Sequence, residues 1–158
     1  MKDTILYLAA PLFGAGERLH NLYLERYLKD LGYRVVLPQR DAKKFIEAFP
    51  RTALERIKEH CRKSAEESTY LYVGCVDGPD ADSGTCVEYG LALAAKGKAI
   101  IYRTDIRTDA TREVGLNAML TLKGTTYIHF PCYITELHEA QPYYQELAQK
   151  IHETVQSL

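Results

Sequence analysis

Five short apolar runs, each closed by a turn residue or by a switch to helical spacing, leave this chain few ways to fold. Residues 4–9 (TILYLA) stop just before Pro11, and residues 15–31 then set Leu19, Leu22, Tyr23, Tyr27 and Leu31 on one helical stripe ahead of Gly32. The pattern recurs. Residues 33–37 (YRVVL) end at Pro38, and Leu54, Ile57, Cys61 and Ala65 mark a second helix after the break at Phe49-Pro50. Residues 70–76 (YLYVGCV) form a third run, and Val87, Leu91 and Ala94 give a helix that stops at Gly97. Residues 99–102 (AIIY) form a fourth, and residues 103–115 are polar and aperiodic, as in a surface loop leading to a short helix over 116–122. Residues 125–130 (TTYIHF) form the fifth, and Pro142 opens a last helix that carries Leu147, Ile151 and Val155 on one side.

Strands that alternate with helices predict an α/β fold, a doubly wound five-stranded parallel sheet in the flavodoxin-like order 2-1-3-4-5 with helices on both faces. With 158 residues, 46% of them hydrophobic, and no repeat, linker or low-complexity segment, residues 1–158 are expected to form a single domain with one core. Twenty basic and 21 acidic side chains nearly cancel and form no long run of one sign, which argues against a nucleic-acid polymer or a membrane surface as partner. No window approaches the roughly 20 apolar residues of a bilayer span, so a cytoplasmic location is expected. Cys61, Cys75, Cys86 and Cys132 lack a C-x-x-C pair and are read as free buried thiols. The five histidines lack ligand spacing, and no metal is expected.

In this order the first and third strands are neighbours whose following helices lie on opposite faces, so their carboxyl ends frame a crevice. The loops lining it are residues 9–17 (AAPLFGAGE) and 77–88 (DGPDADSGTCVE). Pro11 and Phe13 in the first, and Asp77 and Gly84 in the second, are expected to line the ligand. Neither a P-loop nor a dinucleotide glycine motif occurs, and the second loop carries Asp77, Asp80, Asp82 and Glu88. An anion is disfavoured there. A neutral ligand bearing hydroxyl and amino groups fits, because carboxylates accept hydrogen bonds from both. Each acid also has a purely structural reading. Thr85-Cys86-Val87-Glu88 matches an S/T-x-x-E capping box, Asp82 suits a helix N-cap, and Tyr7 could be core alone. A Glu88 near the positive end of a helix would stay ionised at neutral pH.

Taken in order, residues 7–13 (YLAAPLF), 15–18 (AGER), 37–39 (LPQ), 82–85 (DSGT) with Glu88 and Gly90, and 115–120 (GLNAML) resemble the nucleoside 2-deoxyribosyltransferase family, over residue 4 to about residue 130. The resemblance implies transfer of a 2-deoxyribosyl group between nucleobases through a covalent sugar ester on a glutamate, in nucleoside salvage. Glu88 would be the nucleophile, Tyr7 would orient its carboxylate, and Asp82 would contact and help protonate the departing base. Gln39 would face the base, and Asn117 would reach a neighbouring subunit's site. The partners implied are a 2′-deoxynucleoside, a free nucleobase and further copies of the chain in a homo-oligomer with shared sites. No cofactor is implied.

The chain departs from the family pattern at Ala10, where glycine is frequent, and at His60-Cys61-Arg62, where many members carry a substrate-contacting aspartate. Three other activities compete. One is a deoxynucleoside 5′-monophosphate N-glycosidase that recruits Ser83, Thr85 and Arg18 for the phosphate. Another is a non-catalytic nucleoside-binding module. The third, a flavodoxin-like electron carrier, is weakened by the scarcity of serine, threonine and glycine in the first loop.

Overall fold

The computed structural model describes residues 4–107 and 116–158. Its strands are β1 (Ile5–Ala9), β2 (Arg34–Val36), β3 (Tyr70–Cys75), β4 (Ala99–Arg103) and β5 (Thr125–His129). The helices are α1 (Ala15–Asp30), α2 (Pro38–Ala48), α3 (Ala53–Glu66), α4 (Ser83–Lys96) and α5 (Ala140–Gln156). All strand pairs are parallel and run in the order β2-β1-β3-β4-β5, the doubly wound arrangement that the alternation of runs predicts. Among the described residues no helix is long and apolar enough to cross a membrane.

Side chains of β1 alternate between two core layers. Leu6 and Leu8 join Leu24 and Leu28 of α1 and Leu147 and Ile151 of α5, whereas Tyr7 and Ala9 face Ala65 of α3 and Tyr89 and Ala92 of α4. Leu28 and Ile151 are wholly buried, and each such side chain stabilises the fold by about 1.5–3 kcal/mol relative to its exposed state. The helices after β1 and β3 therefore cover opposite faces, and the crevice opens between the ends of these two strands.

The structure corrects the sequence reading in several places. α1 buries Asn21, Leu24, Tyr27 and Leu28, while Leu19, Leu22, Tyr23 and Leu31 are exposed. The expected stripe was displaced because two polar residues lie on the buried face: Asn21, and Glu25, which is paired with Lys29 at 2.7 Å and with Arg40. α2 was not expected. Pro38 does not merely end β2 but occupies the first turn of a helix, where its missing N–H costs nothing, and that helix sets out directly from Leu37. The helix expected over 116–122 shrinks to a single 3-10 turn, Ala118–Leu120. Arg103, read as the start of an exposed loop, is the last residue of β4 and is buried, and the rest of that loop from residue 108 to Gly115 lies outside the described residues. All four cysteines are free, though only Cys75 is fully buried.

Candidate active site

α4 is fixed at its first turn. The Asp82 carboxylate accepts from Thr85 N at 2.9 Å and from Thr85 Oγ1 at 3.2 Å, so Asp82 is the N-cap and Thr85 the third helical residue. The capping box expected between Thr85 and Glu88 does not form, because the helix begins earlier. From the sheet, the buried Tyr72 hydroxyl donates to the Thr85 carbonyl at 2.9 Å. Its ring leans along β3 over Gly74, where a Cβ would stand 2.5 Å from the Tyr72 oxygen, so glycine is what lets the phenol reach α4.

These anchors set Glu88 on the second turn of α4, half-buried, against Tyr7 of β1 and Cys61 of α3. Its carboxyl is raised above the ordinary range by burial. The nearby Tyr7 hydroxyl and Cys61 thiol work against that shift, and the Asp82 charge adds to it. Glu88 lies beyond the first turn of α4, to which the effect of the helix dipole is confined. Tyr7 is wholly buried, and its hydroxyl is driven far above the ordinary phenol value, first by burial and then by the Glu88 charge. Glu88 and Cys61 lie close enough to Tyr7 Oη to act on it, yet no acceptor meets that oxygen in full hydrogen-bond geometry. Burial, then the Glu88 charge, push the Cys61 thiol up to about 11.

The other predicted residues are distributed around the crevice. Gln39 is buried at the start of α2 rather than at the end of a strand, and its carboxamide is engaged: Oε1 accepts from Asn21 Nδ2 at 3.0 Å, and Nε2 donates to the Arg18 carbonyl at 3.2 Å. Asn21 Nδ2 also donates to the Pro11 carbonyl at 3.0 Å, so α1, α2 and the loop after β1 meet at one amide. Phe13 is 80% exposed, and Gly84 is exposed on the first turn of α4. Both Asp77 oxygens accept from β4's exit, through Thr104 N and Oγ1 and through Asp105 N at 3.0 Å, so this carboxylate ties the two strand ends together.

Asn117 is not brought to Glu88. It is exposed, its Oδ1 accepts from Met119 N at 3.0 Å, and it borders a cavity of about 620 Å³ with Asp80, Cys86, Tyr89 and Arg103, on another side of α4. Sequence reasoning missed three participants, Cys61, Asn21 and Tyr72. Of these only Cys61 gave a signal, as the unexplained residue in His60-Cys61-Arg62. Among the described residues no group of three or more histidine, cysteine, aspartate or glutamate side chains is arranged to hold a metal ion.

Comparison with known structures gives likenesses of fold. A conserved protein from Enterococcus faecalis V583 superposes with a TM-score of 0.55 at 21% identity, covering 91% of this chain and 98% of its own. A 2-deoxyribosyltransferase from Bacillus psychrosaccharolyticus gives a TM-score of 0.57 at 19% identity, covering 92% and 96%. No match was found among curated proteins. A sequence model described as nucleoside 2-deoxyribosyltransferase matches residues 6–119, a span that holds β1 through β4 and includes Tyr7, Asp82, Glu88 and Asn117. This match extends over well more than half of the sequence, and the chain belongs to the nucleoside 2-deoxyribosyltransferase family.

Proposed function

We propose that this protein transfers a 2-deoxyribosyl group from one nucleobase to another, with Glu88 as the covalent nucleophile. The observation that carries the reading is the half-buried Glu88 carboxyl set beside the buried Tyr7 side chain of β1, where each acts on the other's ionisation. In the first step a Glu88 oxygen attacks C1′ on the face opposite the base. The C1′–N bond breaks through an oxocarbenium-like state, its electron pair leaves with the base, and an ester to Glu88 remains. Asp82 spends one oxygen, Oδ2, on the helix cap, which leaves Oδ1 to meet the departing base. In the second step a nitrogen of an incoming base attacks C1′ from the vacated face, its N–H proton passes to Asp82 Oδ1 in return for the one given to the departing base, and the Glu88 carboxylate is released, so configuration is retained.

Gln39 acts here through Asn21 and the Pro11 carbonyl, holding the loop after β1 in place. The separation of Asn117 from Glu88 within one chain supports a shared site, in which a second copy delivers Asn117 to the sugar. A nucleotide substrate is less well matched. The Glu17 carboxylate accepts from Phe13 N at 2.8 Å and Gly14 N at 2.6 Å, placing negative charge at the α1 entry, and Arg18 Nη1 donates to the Leu12 carbonyl at 3.0 Å. Incubation with deoxyinosine plus adenine or cytosine, followed by chromatography, tests the proposal. A new deoxynucleoside with release of hypoxanthine supports transfer, whereas free deoxyribose with no exchanged product contradicts it.

A further inference from the structure

Arg103, the last residue of β4, is a buried cation without a close counter-charge. It is 2% exposed. Its terminal nitrogens are engaged with backbone, Nη1 donating to the Val76 carbonyl at 3.0 Å and Nη2 reaching the Arg107 carbonyl at 3.5 Å. The carboxylate beside it, Asp105, stays 3.7 Å away and is taken up by other donors, Gly78 N at 3.1 Å and Arg107 N and Nε at 2.8 and 2.9 Å. Among the described residues no acceptor meets Arg103 Nε, which is sealed from solvent. Burying a charge is costly unless a partner of opposite sign accompanies it, and here the protein supplies none at bonding distance.

Two further observations converge on this residue. Arg103 borders the cavity of about 620 Å³ that lies along α4 on the side away from Glu88, a volume within the range of small-molecule sites. Ala81 and Leu120 give that cavity apolar wall, Tyr89 gives it a ring, and Asp80 adds a carboxylate. The second observation comes from the neighbouring strand. Tyr127 of β5 pairs with Ile101 in parallel register and packs in the same core layer, so its side chain leaves the sheet on the same face as Arg103, two residues further along β4. The Tyr127 hydroxyl is also buried without a partner. Two unspent donors, a guanidinium N–H and a phenol O–H, thus stand on one face of the β4–β5 edge.

We infer that this cavity is a binding site for a small organic anion, a phosphate or carboxylate carried on an apolar or planar body, with the anionic group on Arg103. The planar guanidinium matches either oxyanion in geometry, and a charge-assisted bond there gives the buried cation the partner that Asp105 does not provide. Asp80 repels the anionic group and accepts from hydroxyl or amino groups, so it sets which end of the ligand faces Arg103. The body of the ligand lies against Ala81, Leu120 and the Tyr89 ring. The inference stands whether or not Glu88 forms a sugar ester, because the cavity and the nucleophile occupy different sides of α4.

The test titrates phenyl phosphate, benzoate and phenol separately into isotope-labelled protein and follows the arginine Nε–H resonances in proton–nitrogen correlation spectra. The Arg103 resonance is identified as the one missing from Arg103→Lys. It should move downfield saturably with phenyl phosphate, benzoate or both and stay in place with phenol, and the tighter anion identifies the group the site takes. Arg103→Lys keeps the charge but loses the planar fork, so backbone resonances around the cavity should need about tenfold more anion to shift. Arg103 also holds the Val76 carbonyl, and a second variant separates binding from folding. Gly90 borders the cavity on the same face of α4 as Cys86 and Tyr89, and a Cβ there meets nothing within 4 Å. Gly90→Leu should therefore keep the fold, leucine being the better helix former, and abolish the anion-induced shift by filling the space. No shift with either anion at millimolar concentration, an equal response to phenol, or undiminished binding in Gly90→Leu would overturn the inference.

Discussion

The Tyr72 hydroxyl donates to the Thr85 carbonyl at 2.9 Å, and this one buried bond joins the central strand of the sheet to the first turn of the helix that carries Glu88. Tyr72→Phe removes the donor and leaves the ring over Gly74 in place. We expect a loss of about 1 kcal/mol in urea unfolding. Base exchange should fall severalfold through kcat rather than KM, because α4 is free to shift the nucleophile. A variant with unchanged kcat would mean that Asp82 alone suffices to fix the helix.

Glu88 couples activity to stability with a definite sign. Its folded-state ionisation lies above that of an exposed glutamate, so the folded protein binds this proton more tightly than the unfolded chain does. The stabilisation this gives is fully present below the ordinary glutamate value and is lost as pH rises through the raised one. Glu88→Gln should therefore melt higher than wild type at neutral pH, with the difference shrinking in acid. Its exchange rate should fall on the order of 10³-fold or more, as when a covalent nucleophile is removed. Thermal unfolding at two pH values checks the first part, and a melting temperature below that of wild type at neutral pH would contradict it.

Much of the architecture is legible in the residues themselves. Alternation along β1, with Leu6 and Leu8 on one face and Tyr7 and Ala9 on the other, and the glycine and proline breaks between runs are strictly local, and they carry the strand order with them. α2 was hidden because a proline at Pro38 terminates one element and starts another with equal ease, and spacing does not distinguish the two. The buried face of α1 was hidden because Asn21 and Glu25 read as solvent residues until their partners Gln39 and Arg40, both on α2, are known. The candidate site was readable to the extent that it lies along the loops after β1 and β3. Cys61 and Asn21 reach it by packing of α3 and α1, which no local pattern encodes.

The Asn21 amide is a second place where fold and site meet. Asn21→Ala removes the donor shared by the Pro11 carbonyl and Gln39 Oε1 and leaves the latter buried with its partner gone. Stability should drop by about 1–3 kcal/mol. KM for the nucleoside should rise as the loop after β1 loosens, with a smaller change in kcat. Chemical denaturation together with steady-state kinetics reads both. An equal loss in kcat would place Asn21 closer to the chemistry than its bonds suggest.

A shared site makes a mixing experiment informative. Asn117→Ala and Glu88→Ala should each be poorly active alone, and co-refolded mixtures should regain part of the exchange rate, because some sites then combine Glu88 from one copy with Asn117 from another. Rescue to about a quarter of wild-type activity is the ceiling for random dimer-like pairing, where on the order of one site in four is intact. No rescue in mixtures shown by native mass spectrometry to be hybrid would contradict delivery of Asn117 from a second copy.

The most direct test of the central claim is the intact mass of the protein quenched in acid seconds after mixing with deoxyinosine in the absence of an acceptor base. Wild type should carry one added 2-deoxyribosyl group that maps to the peptide containing Glu88, and Glu88→Ala should carry none. An unmodified wild-type protein that nevertheless exchanges bases, or an adduct that persists in Glu88→Ala, would contradict the account.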